Sequence, residues 1–205
     1  MNHHPTKVVV YDLNDTLYKK SSKSEFFKYV CFKNGYKLAN LFQLSGLKIL
    51  GDLKLVDVTT FKENFFNYLD HLPPETVRQY AREFWQIEYP RHFDDKLLEE
   101  IKQLRAEGVK VYIITGGLEV YTKPLLEFLE VDALLGTRAC YKNEDYKIDG
   151  VACKAEEKFR RLEEGMQNEE FHLVKAYSDE DEYILHQADK GILVEGDQRT
   201  VVHES

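Results

Sequence analysis

The chain has 205 residues and a formal net charge of −8, from 28 Lys and Arg against 36 Asp and Glu. Hydrophobic residues make up 43% and charged residues 31%, a globular composition that excludes a disordered or fibrous chain and suits one large domain, or a core with a smaller insert. An acidic chain lacks the positive field that non-specific nucleic-acid binding needs, so no nucleic-acid partner is expected.

Cys31, Cys140 and Cys153 are too few and too scattered for a disulfide framework, and none forms a CxxC pair. A reducing, cytoplasmic setting is therefore expected. The charge-free stretch from Leu38 to Leu47 is shorter than the ~20 residues a membrane span requires. The N-terminal Met-Asn-His-His-Pro-Thr-Lys has no apolar signal core, so no stable membrane insertion is expected.

Lys7–Asp12 reads Lys-Val-Val-Val-Tyr-Asp, a β-branched run ending in an acid, as in a buried parallel strand with chemistry at its carboxyl end. Residues 21–92 follow. They carry 14 of the 26 aromatic residues and a net charge of +2. Helical spacing recurs in Phe26/Phe27/Val30/Cys31, in Phe61/Phe65/Phe66/Leu69, and in Val77/Tyr80/Ala81/Phe84/Trp85. Pro73-Pro74-Glu75 suits the start of the last helix. This segment reads as an all-α insert with its own small aromatic core. Residues 1–20 and 93–205 read as the main domain.

Asp94 or Asp95 can cap a helix with Leu97, Leu98, Ile101 and Leu104 on one face, closed by Gly108. Val109–Thr115 reads as the second strand, ending at Gly116-Gly117. A helix is expected from Leu118 to Leu129, with Leu118, Tyr121, Leu125 and Leu129 turned inward. Tyr141–Tyr146 suggests a hairpin inserted at the sheet's edge. A helix from about Lys154 to Glu164 presents Phe159 and Leu162. Phe171–Ser178 and Gly191–Val194 read as further strands. Such alternation argues for a parallel sheet with helices on both faces.

Four stretches carry residues suited to chemistry. Asp12 stands where ligands bind in open α/β sheets, at a strand exit, although a plain capped turn has the same pattern. Thr115 supplies a hydroxyl beside the Gly116 and Gly117 amides, which together can cradle a phosphate or form an ordinary turn. Lys158 can neutralise a phosphoryl group, and Lys154 lies one turn earlier on a similar face. Ser178-Asp179-Glu180-Asp181-Glu182 clusters hard oxygens suited to Mg²⁺, yet also suits an acidic helix start. The seven histidines show no metal-ligand spacing.

The order Asp, Thr, Lys, Asp along a β/α series resembles the haloacid dehalogenase superfamily, specifically its phosphoserine-phosphatase-like branch with a helical cap. Val8-Val9-Val10-Tyr11-Asp12-Leu13-Asn14-Asp15-Thr16-Leu17 resembles the first motif, DxDx[TV]L. Ile113-Ile114-Thr115-Gly116-Gly117-Leu118-Glu119-Val120-Tyr121 resembles the second, and Cys153–Leu162 the third, favouring Lys158 over Lys154. Ala176-Tyr177-Ser178-Asp179 with Leu185 and Ala188 resembles the fourth.

The resemblance implies a Rossmann-like three-layer α/β/α sandwich with an inserted helical cap at 21–92. It implies a Mg²⁺-dependent phosphatase acting on a small phosphorylated substrate through an aspartyl-phosphate. Asp12 is then the nucleophile. Asp12, Asp179 and the backbone carbonyl of Asn14 would hold Mg²⁺, while Thr115, Gly116 and Lys158 would bind phosphate.

Two departures stand out. The family's general acid and base is an aspartate where this chain has Asn14, and an amide has no titratable proton. That pattern fits a slow phosphatase, a phosphoryl-binding module without turnover, or an engineered Asp-to-Asn trap. The family also places a second carboxylate about four residues after the fourth-motif aspartate. Tyr183 stands there, leaving Asp181 as a substitute if the loop tightens.

Overall fold

A computed structural model describes residues 5–34, 66–167 and 169–205 of the protein. Strand β1 (Thr6–Tyr11) lies near the middle of a six-stranded sheet. On one side lie β2 (Lys110–Leu118) and then β3 (Ala133–Thr137). On the other, the β6 (Phe171–Ser178), β7 (Lys190–Glu195) and β8 (Gln198–Glu204) strands follow in order, counting the hairpin strands below as β4 and β5. All neighbours run parallel except β7 and β8. The chain therefore leaves β1 in both directions, which opens a crevice at its carboxyl end.

The two-residue period of β1 builds both outer layers. Val9 and Tyr11 pack with Leu97, Leu98 and Ile101 of the capped helix, which runs Asp95–Ala106. Val8 and Val10 face the opposite way, toward Leu162 and Met166 at and just beyond the helix Glu156–Gly165. All four β1 residues are buried, as expected of a strand covered on both faces. The result is a Rossmann-like three-layer sandwich. No described helix is long and apolar enough to cross a membrane.

Between β1 and the capped helix lies the insert. Its described elements are α1 (Ser22–Lys33), a 3₁₀ turn (Phe66–Leu69) and α2 (Pro74–Glu88); the capped helix Asp95–Ala106 is then α3. Phe26, Phe27, Val30, Cys31, Val77, Ala81, Phe84 and Trp85 are buried as the spacing predicts, whereas Phe61 and Phe65 lie outside the described residues. Among the described residues the insert keeps no separate core. Phe26, Phe27, Phe66, Tyr68, Phe84 and Trp85 join Tyr11, Leu13 and Leu97 in one continuous cluster. A few helical turns cannot enclose so many rings alone, so they share the sheet's apolar face. The two connections are tied together: Lys19 N–H donates to His92 O (2.9 Å) and Asp94 N–H to Leu17 O (2.9 Å).

Two other expectations are corrected, and one strand lies outside them. The helix predicted over 118–129 is one α turn, α4 (Glu119–Thr122), followed by a 3₁₀ turn (Lys123–Glu127). Pro124 lacks the amide a continuous helix needs, yet Leu118, Tyr121, Leu125 and Leu129 are all buried as expected. The hairpin, β4 (Ala139–Lys142) and β5 (Asp145–Ile148), is not an edge of the main sheet but a separate ribbon. Positive φ at Asn143 and Glu144 makes its two-residue turn, and its tip reaches the insert, where His71 N–H donates to Glu144 O (2.7 Å). Strand β8 has no counterpart in the sequence reading, because its mostly exposed side chains erase the alternation that marks a strand. The last helix, α5, is Glu156–Gly165.

Candidate active site

Asp12 follows the last residue of β1, and its N–H donates to Tyr177 O on β6 (2.8 Å). The side chain is 7% exposed. Lys158, in the first turns of α5, sets its ammonium 3.2 Å from Asp12 Oδ1 and is equally buried. Lys154 is exposed, so of the two lysines only Lys158 reaches Asp12. Positive φ at Ala155 turns the chain into α5 just before it.

Thr115 is fully buried on β2, beside β1, where Tyr11 pairs with Ile113. The strand does not end there. It continues through Gly116 and Gly117 to Leu118, so the Gly pair offers extended-strand amides and no helix start of useful length. Gly117 N–H donates to Thr115 Oγ1 (3.3 Å). A methyl group on Gly117 would meet Tyr121 Oη at 2.6 Å, so the tyrosine can press against the strand only where a Cβ is missing.

Asn14 belongs to the same site. Its Nδ2 donates to Thr115 Oγ1 (3.2 Å), and its Oδ1 accepts from Ser22 N–H (2.7 Å), the first residue of α1. The site is thereby joined to the insert.

Asp179 follows β6. Burial, and then the neighbouring Asp12 carboxylate, push its pKa up to about 7. Burial alone would lower the Lys158 pKa, but Asp12 and Glu182 outweigh it and hold the ammonium protonated well above the usual range. Glu182 accepts from Lys158 Nζ and from Ser178 Oγ (2.5 Å). The expectation for Asp181 is thus corrected: it pairs with His186 (2.7 Å), away from Lys158, and Glu182 is the acid brought in. An acidic run of four gave no signal to choose between them. Ser22 also went unrecognised, since backbone amides leave no trace in a sequence.

The electrostatics fit a divalent cation. Asp12 Oδ1 is buried with an ion-pair partner but no aligned hydrogen-bond donor, and a second carboxylate crowds it. Among the described residues no group of three or more His, Cys, Asp or Glu side chains converges for a metal. Two crowded carboxylates suit Mg²⁺, which takes one or two carboxylates and several waters, better than a zinc-type cage.

Glu119 braces this arrangement from below. It accepts from Gly136 N–H (3.1 Å) and pairs with Lys123 (2.7 Å) and with buried Arg161, one turn beyond Lys158 on α5. The end of β2 is thereby fixed against the helix that carries the lysine.

Comparison with solved structures gives three close likenesses in fold. A protein of unknown function from Bordetella pertussis Tohama I has a TM-score of 0.76 at 17% identity, over 88% of this chain and 85% of that one. A HAD family hydrolase from Salmonella enterica serovar Typhi has a TM-score of 0.67 at 16% identity, over 92% and 63%. A phosphoserine phosphohydrolase-like protein from Francisella tularensis has a TM-score of 0.61 at 19% identity, over 90% and 85%. At such identities the likeness shows the fold. No curated protein matches the chain in sequence. The family model for haloacid dehalogenase-like hydrolases, however, matches residues 9–181, from the middle of β1 to the acidic run after β6. By that match, which spans all four stretches gathered around Asp12, the chain belongs to the haloacid dehalogenase-like hydrolases.

Proposed function

We propose that the protein is a Mg²⁺-dependent phosphatase acting on a small phosphomonoester, slowed at its acid step by Asn14. The observation that carries this reading is the placement of Lys158 Nζ 3.2 Å from Asp12 Oδ1, with Thr115 on the adjoining strand and Asp179 pressed against the same carboxylate. The fold likeness to a phosphoserine phosphohydrolase-like protein supports it.

An Asp12 oxygen attacks phosphorus, the bond to the leaving alkoxide breaks, and an aspartyl-phosphate forms. Water then attacks phosphorus, and the bond to Asp12 breaks to restore the carboxylate. Asp12, Asp179 and the Asn14 backbone carbonyl would hold Mg²⁺, which offsets the repulsion between carboxylate and phosphate when bound. Thr115, the Gly116 N–H and Lys158 bind the phosphoryl oxygens. The insert, with α1, the 3₁₀ turn and α2 as its described elements, would be the cap that excludes water and selects the leaving group. Asn14 cannot protonate the leaving oxygen, so that proton comes from solvent. Losing a general acid typically costs about 10²–10⁴-fold.

A second reading, a phosphoryl-binding module with little turnover, is favoured by one observation: both ends of the Asn14 amide are already engaged, at Thr115 and Ser22. Hydrolysis of p-nitrophenyl phosphate with Mg²⁺ separates the two. Wild type is expected to turn over slowly, Asn14→Asp to raise kcat by about 10²-fold or more, and Asp12→Asn to abolish activity. If neither wild type nor Asn14→Asp turns over while phosphate still binds, the enzymatic reading falls and the binding module stands.

A further inference from the structure

We infer that Asn14 is a positioning residue that commits the Thr115 hydroxyl to donating its proton to a phosphoryl oxygen, so that the site is built to hold phosphate. The inference rests on the phosphate-site reading above and adds a role for the residue that departs from the family pattern.

The orientation of the Asn14 amide is fixed by its neighbours. Ser22 N–H is a backbone donor and cannot accept, so the Asn14 atom 2.7 Å away is the oxygen. The nitrogen must then be the atom 3.2 Å from Thr115 Oγ1. Gly117 N–H approaches the same hydroxyl oxygen at 3.3 Å. A threonine hydroxyl has two acceptor lone pairs and one proton to give. Here two N–H groups occupy both lone pairs. Among the described residues no hydrogen bond from that hydroxyl proton is formed, although the side chain is fully buried. Donation is all that remains to it, and the unprotonated oxygens of a phosphate accept.

An aspartate at position 14 would do the reverse. When ionised, its carboxylate accepts only, so it would draw the Thr115 proton to itself and add a negative charge beside the anion. The amide has two consequences: the acid step is lost and phosphate retention is gained. Because Oδ1 is anchored at the first residue of α1, the same amide sets the donor in register with the insert.

The test is the affinity of the full-length protein for inorganic phosphate in the presence of Mg²⁺, measured by calorimetric titration. Asn14→Ala and Asn14→Asp are each measured alone and in the Thr115→Val background. In the Thr115 protein, Asn14→Ala is expected to weaken phosphate binding by about tenfold, the scale of one hydrogen bond to a charged group. Asn14→Asp, which keeps the acceptor for Ser22 N–H, is expected to weaken it further. In the Thr115→Val background, Asn14→Ala is expected to change affinity by less than about twofold, and the loss from Asn14→Asp is expected to shrink by about the same tenfold. Thr115→Ser, which keeps a hydroxyl, is expected to retain the dependence on Asn14. Equal losses in both backgrounds, or tighter phosphate binding by Asn14→Asp, would overturn the positioning role and leave the phosphatase reading intact. If wild type with Mg²⁺ binds no phosphate, the phosphate-site reading falls, and this inference with it. Should Asn14→Ala fail to fold, the two Asn14→Asp measurements decide the matter alone.

Discussion

A methyl group on Gly191 would sit 2.3 Å from the backbone oxygen of Leu185, an atom that cannot step aside without moving the turn after β6. Gly191→Ala is therefore expected to destabilise the protein by about 1–3 kcal/mol, as overpacking does, and chemical denaturation measures it. Glu88 illustrates a different residue-level balance. Burial pushes its pKa up, but the Tyr18 hydroxyl (2.6 Å) and the Lys20 ammonium (2.9 Å) outweigh burial and leave it below its ordinary value of 4.5. A lowered folded-state pKa contributes stability that is present above the unfolded value and lost as pH falls through the folded one. Glu88→Gln should flatten the loss of stability as pH falls from the ordinary value of 4.5 through the lowered folded one. An unchanged slope would remove Glu88 from the acid response.

At the scale of elements, one buried ring ties α2 to α4. Trp85 is fully buried among Tyr18, Phe84 and Phe93, and its Nε1–H donates to Tyr121 O on α4 (2.7 Å). Trp85→Phe keeps most of the packing and strands that carbonyl. The expected cost is about 1–3 kcal/mol, read from the denaturation midpoint. A loss under about 0.5 kcal/mol would show that the carbonyl finds another donor. The start of α3 is legible in a single residue. Asp94 Oδ1 accepts from Lys96 N–H (2.9 Å) and Leu97 N–H (3.0 Å), as an N-cap should, and Arg199 of β8 adds a contact at 2.8 Å. The cap follows from local sequence. The arginine does not, because β8 itself is unreadable there.

At the scale of the whole molecule, the proposed Mg²⁺ site implies that the two crowded carboxylates cost stability that a bound cation would restore. With Mg²⁺ at about 100 times its Kd, linkage is expected to add about 2.7 kcal/mol. For a chain of this size that corresponds to a rise in Tm of about 5–10 °C relative to EDTA. Asp179→Asn should abolish the rise and, in EDTA, should melt above wild type because it removes one member of the crowded pair. Scanning calorimetry of the two proteins in both buffers checks this. Equal melting of wild type with and without Mg²⁺ would count against metal binding.

The amino-acid sequence on its own determined the alternation of layers. Valines 8–10, the capped start of α3 and the run Phe171–Ser178 are local patterns, and their period states which face is buried whatever lies opposite. It also determined the order of the chemical residues, since Asp12 and Asp179 follow strands, Thr115 lies late in another and Lys158 lies in the first turn of a helix. Only the tertiary structure decided what depends on separate segments meeting. Lys158 rather than Lys154 faces Asp12 because α5 begins after Ala155. Glu182 rather than Asp181 joins that lysine because the turn after β6 points one acid of a uniform run inward. The Asn14 amide acquired its direction from a backbone N–H eight residues away and a hydroxyl 101 residues away. Periodicity is written in neighbours along the chain, whereas the polarity of a hydrogen bond is set by whichever donor or acceptor the fold brings to it.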